Sequence, residues 1–532
     1  MPDIKIFVAD DVNEGGLEPL RAAGFEVEKR TGLKGAELAE AVAGADGLVV
    51  RSETKVTAEL LEAAGHLRVI GRAGVGVDNI DVPAATQRGV VVMNAPDGNT
   101  MTTAEHTMAL LLALARRVPQ GQASLKAGRW ERKNFVGVEL RGKTLGVVGL
   151  GRIGRVVASR ALGFEMKVVA YDPFIVPEQV REQGVEMAPL EEVCRRADFL
   201  TVHSPLTPET RGIIGAREFA LMKGGVRVIN CARGGLVDER ALYEAIREGR
   251  VAGAALDVFE QEPPKADNPL LSLEEVVITP HLGASTREAQ EGVAVTVAEQ
   301  MRDFFLTGAV RGAVNVPSLG AQELKALEPY MSLAERLGRF QAQLVDEPVR
   351  SVEIEYAGEA LSFDAAPVTR AFLAGLLRNM SARVNVVNAL LIAEERTIQV
   401  TVAQRHGAGA ETRQPLRTRV RTRTGEHTVA GALFGPEASG RVTEIDGFRI
   451  EAIPAGHMLL TRSSDVPGVI GRLGTILGEH GVNISRFHLG RLARGGEAMA
   501  VIETDAPPDD ATLEELRAFA PVLSARRIAL GD

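Results

Sequence analysis

A glycine-rich turn at residues 149–154 sets the tightest limit on how this chain can fold. Gly149-Leu-Gly151-Arg152-Ile153-Gly154 fits the pattern G-x-G-x-x-G. An apolar run beginning at Lys143 precedes it and reads as a strand; the residues after it read as a helix. The next apolar run begins at Lys167 and ends on an acid, Asp172. In that context the pattern is a dinucleotide-binding fingerprint. Gly149 permits the tight turn, Gly151 lets the backbone approach a pyrophosphate, and Gly154 allows close helix–sheet packing. Arg152 and Ile153 open the helix, whose N-terminus offers N–H groups and a positive dipole to phosphate. Asp172 is placed to accept hydrogen bonds from the adenosine ribose and to repel a 2′-phosphate, so NAD is favoured over NADP. The plain alternative, a surface Asp beside a Gly-rich turn, does not account for strand, spacing and acid together.

Strand-like runs continue from this point at Phe199–His203, Val226–Asn230, Ala254–Asp257 and Val276–Thr279. With the first two they make six strands, the number expected of a nucleotide-binding lobe. An earlier series, with strands at Lys5–Ala9, Gly47–Arg51 and Arg68–Gly71 and a helix from Leu17 closed by Gly24, has the same alternating texture, which means parallel sheets with crossover connections. Two capping-box patterns are present. Thr102-x-x-Glu105 opens a helix ending at Arg116-Arg117, and Ser285-x-x-Glu288 opens one running to about Leu306. Both helices are expected to bridge two lobes.

At 532 residues the chain needs about three or four domains at roughly 150 residues each. Lys plus Arg is 61 and Asp plus Glu is 70, so the net charge is 61 − 70 = −9, without the basic footprint of a nucleic-acid partner. An anionic substrate must then be held by a local cluster of cations. The two cysteines, Cys194 and Cys231, make no disulfide framework and fit a reducing cytosol. The first residues read as a strand and not as a signal peptide, and no apolar stretch approaches the ~20 residues of a membrane span. A cytoplasmic protein with no membrane partner and no metal is expected.

Three further motifs lie at or just past strand ends, where open α/β sheets bind ligands. They are Cys231-Ala232-Arg233-Gly-Gly235, Glu262 in Phe259-Glu-Gln-Glu262-Pro-Pro, and His281 in Thr279-Pro-His281-Leu-Gly283-Ala284-Ser285. A lone histidine or arginine is most often packing or a solvated ion pair. The order Arg, Glu, His on a nucleotide-binding lobe, however, resembles the D-isomer-specific 2-hydroxy acid dehydrogenases. That resemblance implies a catalytic trio. Arg233 holds the α-carboxylate, His281 takes the hydroxyl proton, and Glu262 stabilises the imidazolium. The chemistry agrees: histidine titrates near neutral pH, a carboxylate favours its charged form, and a guanidinium binds a carboxylate bidentately. The resemblance also places His203, Ser204, Cys231, Ala232, Arg233, Asp257, His281, Gly283 and Ala284 beside NAD. Cys231 is read there as a small buried residue, not a nucleophile.

Val50-Arg51-Ser52 and Gly71-Arg72-Ala-Gly74-Val75-Gly76-Val-Asp78-Asn79 resemble the substrate loops of the branch of that family that oxidises 3-phosphoglycerate. Arg51 and Arg72 would take the phosphate, or else are ordinary surface cations. The N–H groups around Gly74, Val75 and Gly76 would reach the carboxylate. Residues from 457 onward resemble an ACT domain, with Asp465-x-Pro467-Gly468 as a turn and Asn483 before a strand. By that resemblance Asp465 and Asn483 bind L-serine as a feedback effector, although the turn also has a purely local explanation. In the middle segment a helix is expected from Met331 to Leu344 and a strand from Thr397 to Val402. Arg417, Arg419, Arg421 and Arg423 alternate and would share one face of a strand, either solvated or an allosteric site for a phosphorylated ligand. Trp130, in a charged loop, suggests a contact with a partner subunit.

The expected architecture is α/β. A Rossmann nucleotide-binding lobe (99–282) is inserted in a flavodoxin-like substrate lobe (1–98 and 283–315). An α+β intervening domain (316–452) and a βαββαβ ACT domain (453–532) follow. The implied reaction is NAD-dependent oxidation of 3-phosphoglycerate at the entry to L-serine synthesis, in a homodimer or homotetramer. The rivals are a hydroxypyruvate or glyoxylate reductase, whose chains end near the second lobe, and a non-enzymatic NADH-sensing regulator, which lacks an ACT unit.

Overall fold

A computed structural model describes residues 4–357, 364–380, 383–405 and 416–531. The first βα series forms a five-stranded parallel sheet from β1 (Lys5–Val8), β2 (Glu26–Lys29), β3 (Gly47–Val50), β4 (Val69–Arg72) and β5 (Val91–Asn94), in the order β2-β1-β3-β4-β5. This is the flavodoxin-like order. β3 reads Gly-Leu-Val-Val and is buried throughout, as a strand covered on both faces must be. One cover is the helix Arg287–Thr307, whose Val293, Ala294, Val297, Ala298 and Met301 share a core with Ile6, Val69 and Val91. The approach is so close that a Cβ on Gly71 would lie 2.4 Å from Val297 Cγ1.

The second series forms a seven-stranded parallel sheet: β6 (Thr144–Val148), β7 (Lys167–Tyr171), β8 (Val185–Met187), β9 (Phe199–Val202), β10 (Val226–Asn230), β11 (Val251–Leu256) and β12 (Val276–Ile278). Its order is β12-β11-β10-β9-β6-β7-β8. The run from β8 across to β12 begins with the doubly wound order 3-2-1-4-5, and β11 and β12 extend it. The sequence reading counted six strands and missed β8, a three-residue edge strand too short to form an apolar run. The helix Thr100–Arg116 covers this sheet, with Ala104, Met108, Leu111 and Leu114 in one core with Leu145, Ile229, Ala255 and Val277.

Neither expected capping box forms. The helix containing Thr102 starts earlier, at Thr100, after a turn in which Thr100 N–H donates to the Asp97 carbonyl at 3.3 Å. Thr102 therefore sits inside the first turn, and its hydroxyl meets that of Thr286 at 3.3 Å. In the second helix Ser285 is spent on closing a turn, its N–H donating to the Leu282 carbonyl at 2.8 Å. The cap moves one residue on, to Thr286, whose hydroxyl accepts from Ala289 N–H at 3.2 Å. The two long helices thus meet at their N-termini, between the lobes.

The third sheet contains β13 (Ser351–Ala357), β14 (Gln399–Arg405), β15 (Leu416–Arg421), β16 (Glu426–Phe434), β17 (Ser439–Ile445) and β18 (Phe448–Ala452), in the order β14-β13-β15-β16-β17-β18. Only β13 and β14 are parallel. The helix packed on it runs Ala321–Ala342, ten residues ahead of the expected Met331 start. Pro329, ordinarily a helix breaker, lies inside it. Arg417, Arg419 and Arg421 share one face of β15; Arg423 lies beyond the end of the strand, which corrects the four-residue face.

The last sheet contains β19 (Gly456–Ser464), β20 (Ile484–Arg491), β21 (Glu497–Thr504) and β22 (Val522–Gly531), ordered β20-β21-β19-β22. The helices Val469–Glu479 and Asp510–Ala518 complete a βαββαβ unit. One face of this sheet, through Leu459, Ala500 and Ile502, packs on those helices. The other, through Met458, Leu460, Met499, Val501 and Ile528, joins the core of the preceding sheet with Leu333, Leu337 and Phe340. Gln343 ties the two units further, donating to the Ala529 carbonyl and accepting from its N–H, both at 2.9 Å. Among the described residues no helix is long and apolar enough to cross a membrane.

Replacing the observed cap, Thr286→Ala, should lower stability by about 1 kcal/mol, read from the urea unfolding of the first lobe. Ser285→Ala should change it by only a few tenths. The reverse ranking would restore the cap to Ser285.

Candidate functional site

The glycine turn sits at the switch between β6 and β9. Gly149 has φ +93°, and a Cβ there would lie 2.8 Å from the His203 carbonyl carbon. A Cβ on Gly154 would lie 2.1 Å from the Gly149 oxygen, whereas one on Gly151 meets nothing within 4 Å. The turn that leads into the helix Arg152–Gly163 is therefore open at Gly151. This cradle fits a dinucleotide pyrophosphate. Asp172 stiffens the turn, accepting from Leu150 N–H and Phe174 N–H, each at 2.9 Å. Arg152 pairs with Asp97 at 2.8 Å, and Ile153 packs on the lobe core. Ser204 lies at the mouth of β9, its hydroxyl 3.4 Å from the Val148 carbonyl. His203 bonds the Thr201 hydroxyl at 3.0 Å. Burial pushes its imidazole down to about 4, so it is neutral at physiological pH.

His281 and Glu262 meet as expected: Nδ1 lies 2.7 Å from Oε2. Glu262 Oε1 accepts from Phe259 N–H at 3.1 Å. Burial pushes this carboxyl up, but the hydrogen bond and charge of His281, the Phe259 N–H and the charge of Arg233 outweigh it. The group stays below the usual glutamate range.

His281 adopts φ +55°, an uncommon conformation for a non-glycine residue, and Asp257 holds the turn that imposes it. The Asp257 side chain is fully buried. It accepts from Leu282 N–H at 2.7 Å, Gly283 N–H at 2.8 Å and the Thr279 hydroxyl at 2.5 Å, and it pairs with His106 at 3.1 Å. The Asp257 carbonyl accepts from His281 N–H at 2.9 Å, and the Thr103 hydroxyl donates to the Gly283 carbonyl at 3.0 Å. Ala284 lies in the turn that Ser285 closes. After β10 a similar device operates: Asn230 accepts from Ala232 N–H at 3.0 Å and donates to the Arg233 carbonyl at 2.8 Å. Cys231 is buried beside it, and burial pushes its thiol up to about 12, which removes it as a nucleophile at neutral pH.

The substrate-lobe residues gather around Arg233. Arg51 follows β3, its N–H bonded to Asp10 at 2.5 Å and its guanidinium donating to the Asp11 carbonyl at 2.9 Å. Arg72 ends β4. Its Nε is buried without a hydrogen-bond partner among the described residues, and burial and the charge of Arg233 push it down to about 10, so it is still a cation at neutral pH. Its guanidinium lies over Gly74, where a Cβ would come within 1.8 Å of Nη1; a Cβ on Gly76 would come within 2.0 Å of Arg233 Nη2. The glycines therefore make room for guanidinium groups. Gly74's own N–H is engaged within the loop, closing a tight turn onto the Arg72 carbonyl at 2.8 Å. The Val75 carbonyl accepts from Asn94 at 2.5 Å.

Other expected positions are engaged elsewhere. Asp465 accepts from Gly495 N–H at 3.0 Å and pairs with Arg491 at 3.2 Å. Asn483 donates to Asp505 at 2.7 Å. Arg417 pairs with Glu444, Arg419 with Glu353, and Arg421 with Glu426. Trp130 is 77% exposed. Sequence reasoning missed Asp78, which pairs with Arg233 at 3.0 Å, and it missed Asp10, Asn230 and His106. Asp78 stands inside the quoted glycine loop, which was the available signal. His106 gave none, lying mid-helix 151 residues from its partner.

The Asp257 carboxyl is pushed up by burial, but hydrogen bonds from His106, Thr279 and Leu282 bring it below the usual aspartate range. It therefore stabilises the fold above the unfolded-state value of about 3.9, and that contribution is lost as pH falls through the lower folded-state value. Asp257→Asn should reduce stability at pH 7, and the gap to the unsubstituted protein should close as pH falls below about 4. A gap constant with pH, in urea titrations at each pH, would show that the charge is not what matters.

Comparison with known proteins matches three family models along the chain. The family described as D-isomer specific 2-hydroxyacid dehydrogenase, NAD binding domain, matches residues 108–283; the D-3-phosphoglycerate dehydrogenase intervening domain matches 326–446; and the ACT domain matches 457–521. The D-3-phosphoglycerate dehydrogenase of Methanocaldococcus jannaschii is 45% identical over 520 residues, 97% of each chain. That of Archaeoglobus fulgidus is 44% identical over 531 residues, 99% of this chain and 100% of the relative. Among solved structures, the TT0316 protein from Thermus thermophilus aligns with a TM-score of 0.54 at 40% identity, covering 58% of this chain and all of that one. A D-lactate dehydrogenase from Aquifex aeolicus, complexed with NAD and lactic acid, aligns at 0.52 and 30% identity, covering 59% of this chain and all of that one. With relatives of this likeness along nearly its whole length, the chain belongs to the D-3-phosphoglycerate dehydrogenase family.

Proposed function

We propose that the chain oxidises 3-phospho-D-glycerate to 3-phosphohydroxypyruvate with NAD, the first step of L-serine synthesis. The observation that carries this reading is the position of Arg233. It follows β10 in the nucleotide lobe yet pairs with Asp78 and lies over Gly76 in the substrate-lobe loop, and its charge also acts on Glu262 of the His281 pair, which supports a proton acceptor and anion holders in one cleft.

Arg233 presents a planar guanidinium to the α-carboxylate, and Arg51 and Arg72 take the phosphate. His281 Nδ1 is occupied by Glu262, which leaves Nε2 for the substrate hydroxyl. There it takes the proton as general base. Glu262, held ionised, stabilises the imidazolium that results. NAD, when bound, supplies the hydride acceptor. Gly149, Gly151, Arg152, Ile153 and Gly154 would hold its pyrophosphate and Asp172 its ribose. His203, Ser204, Cys231, Ala232, Gly283 and Ala284 would line the remainder over the Asp257 support.

The lobes are read as 1–98 with 283–315 for substrate and 99–282 for NAD, followed by an intervening unit at 316–452 and an ACT unit at 453–532. The ACT unit is the seat of feedback by L-serine at Asp465 and Asn483, with copies paired in a homodimer or homotetramer. The Trp130 loop, exposed in one chain, would reach a partner subunit. Two buried, unpaired thiols fit a cytoplasmic enzyme.

The test is NADH production from 3-phosphoglycerate, with D-lactate and D-glycerate as controls and L-serine titrated in. Preference for the phosphorylated acid, suppressed by serine, is expected. Activity confined to the unphosphorylated acids would overturn the roles of Arg51 and Arg72. His281→Asn should lower kcat by about 10²–10⁴; near-normal turnover would remove the base assignment. Asp172→Ala should raise KM for NAD roughly tenfold and narrow the NAD/NADP ratio, whereas an unchanged ratio would assign cofactor choice elsewhere.

A further inference from the structure

Asp78 is a charged group of the cleft that takes no part in the proton and hydride transfer. It follows β4 in the first lobe, and it pairs across the cleft with Arg233, which follows β10 in the second; Nε donates to Oδ2 at 3.0 Å. Nη1 of the same guanidinium is tied to the Ala232 carbonyl at 2.7 Å. Two of the three guanidinium nitrogens are thus anchored, and Nη2 lies over Gly76, whose lack of a side chain gives it room.

The surroundings explain why an anchor is needed. Arg233 and Arg51 both act on Arg72 as like charges, and the opposing negative charges are Asp78 and Asp10. Asp10 is already committed to Arg51 N–H, Thr54 N–H and the Thr54 hydroxyl. Without Asp78 the anion left acting on Arg72 is Asp10, which is held by Arg51 and Thr54, and Arg233 loses its cross-cleft ion pair. A guanidinium free to swing loses the fixed plane that bidentate carboxylate recognition requires.

We propose that Asp78 is a positioning residue for the oxidation, a counter-ion on the opposite lobe that holds the Arg233 guanidinium in the plane where the substrate carboxylate docks. This rests on the reading of Arg233 as the carboxylate holder. It has a consequence that a merely structural role lacks. Asp78 lowers the attraction of the cleft for anions in general while raising it for the one anion that needs an oriented fork. Removing its charge should move the two affinities in opposite directions.

The experiment is steady-state kinetics of Asp78→Asn with inorganic phosphate as a competing anion. KM for 3-phosphoglycerate should rise roughly tenfold, the scale of one charge-assisted hydrogen bond. The phosphate inhibition constant should fall, with kcat, KM for NAD and melting temperature close to those of the unsubstituted protein. Asp78→Glu should recover part of the substrate affinity. If both affinities rise, Asp78 is only a repulsive charge; if both fall, or neither moves, it positions nothing. Any of these results overturns the proposal. Absence of 3-phosphoglycerate oxidation by the unsubstituted protein strikes instead at the functional reading on which the proposal rests.

Discussion

The buried carboxylate of Asp257 is the constraint on which the candidate site depends. A charge taken out of water survives only if donors replace the lost hydration. Here the donors are two backbone N–H groups of the 281–283 turn, the Thr279 hydroxyl and His106. Satisfying the charge therefore fixes the turn, and the fixed turn sets His281 at a positive φ, with its ring against Glu262. His106 belongs to the helix that covers the nucleotide sheet. One anion thus joins a covering helix, the end of β11 and the turn that carries the base.

The opposite wall obeys the reverse logic. Cations are brought together with too few anions, and the backbone is thinned to glycine wherever a guanidinium must lie flat. Arg72 has a buried Nε without a partner among the described residues, a costly state for a polar group. A net charge of −9 opposes anions at long range, so recognition must come from this local excess. The distance at which it acts is short, because exposed charges are screened beyond about 8–10 Å at ordinary ionic strength.

The C-terminal half is built differently. The last two sheets share one hydrophobic core, and Gln343 fastens the end of β22 to the helix side, so they form one packed body. That body touches the first lobe at Asn385 and Asn388, which donate to the Gly89 and Gln87 carbonyls, each at 3.0 Å, while Val387 enters the core of the lobe. The residues contacted lead directly into β5. Its last residue, Asn94, holds the Val75 carbonyl of the glycine loop.

Much of this was legible in the sequence because it depends on local order. The fingerprint glycines, Asp172 and the βα alternation are set by neighbours a few residues away, and the Arg, Glu and His motifs sit at strand ends that periodicity locates. What sequence reasoning missed or misplaced depends on contacts formed only after folding. Thr102 looks like a cap but faces Thr286 across the interlobe boundary. Gly74 looks like a ligand-facing amide, but it is small because the Arg72 guanidinium needs its space. Asp78 and His106 find their partners 155 and 151 residues away, at the far ends of other elements. Such residues leave no periodic trace, since each is selected by a single long-range partner rather than by a face of its own helix or strand. The supporting groups of a two-lobed cleft fall into this class for a physical reason: the walls come from segments distant in the chain, and their charges meet only once both lobes are folded.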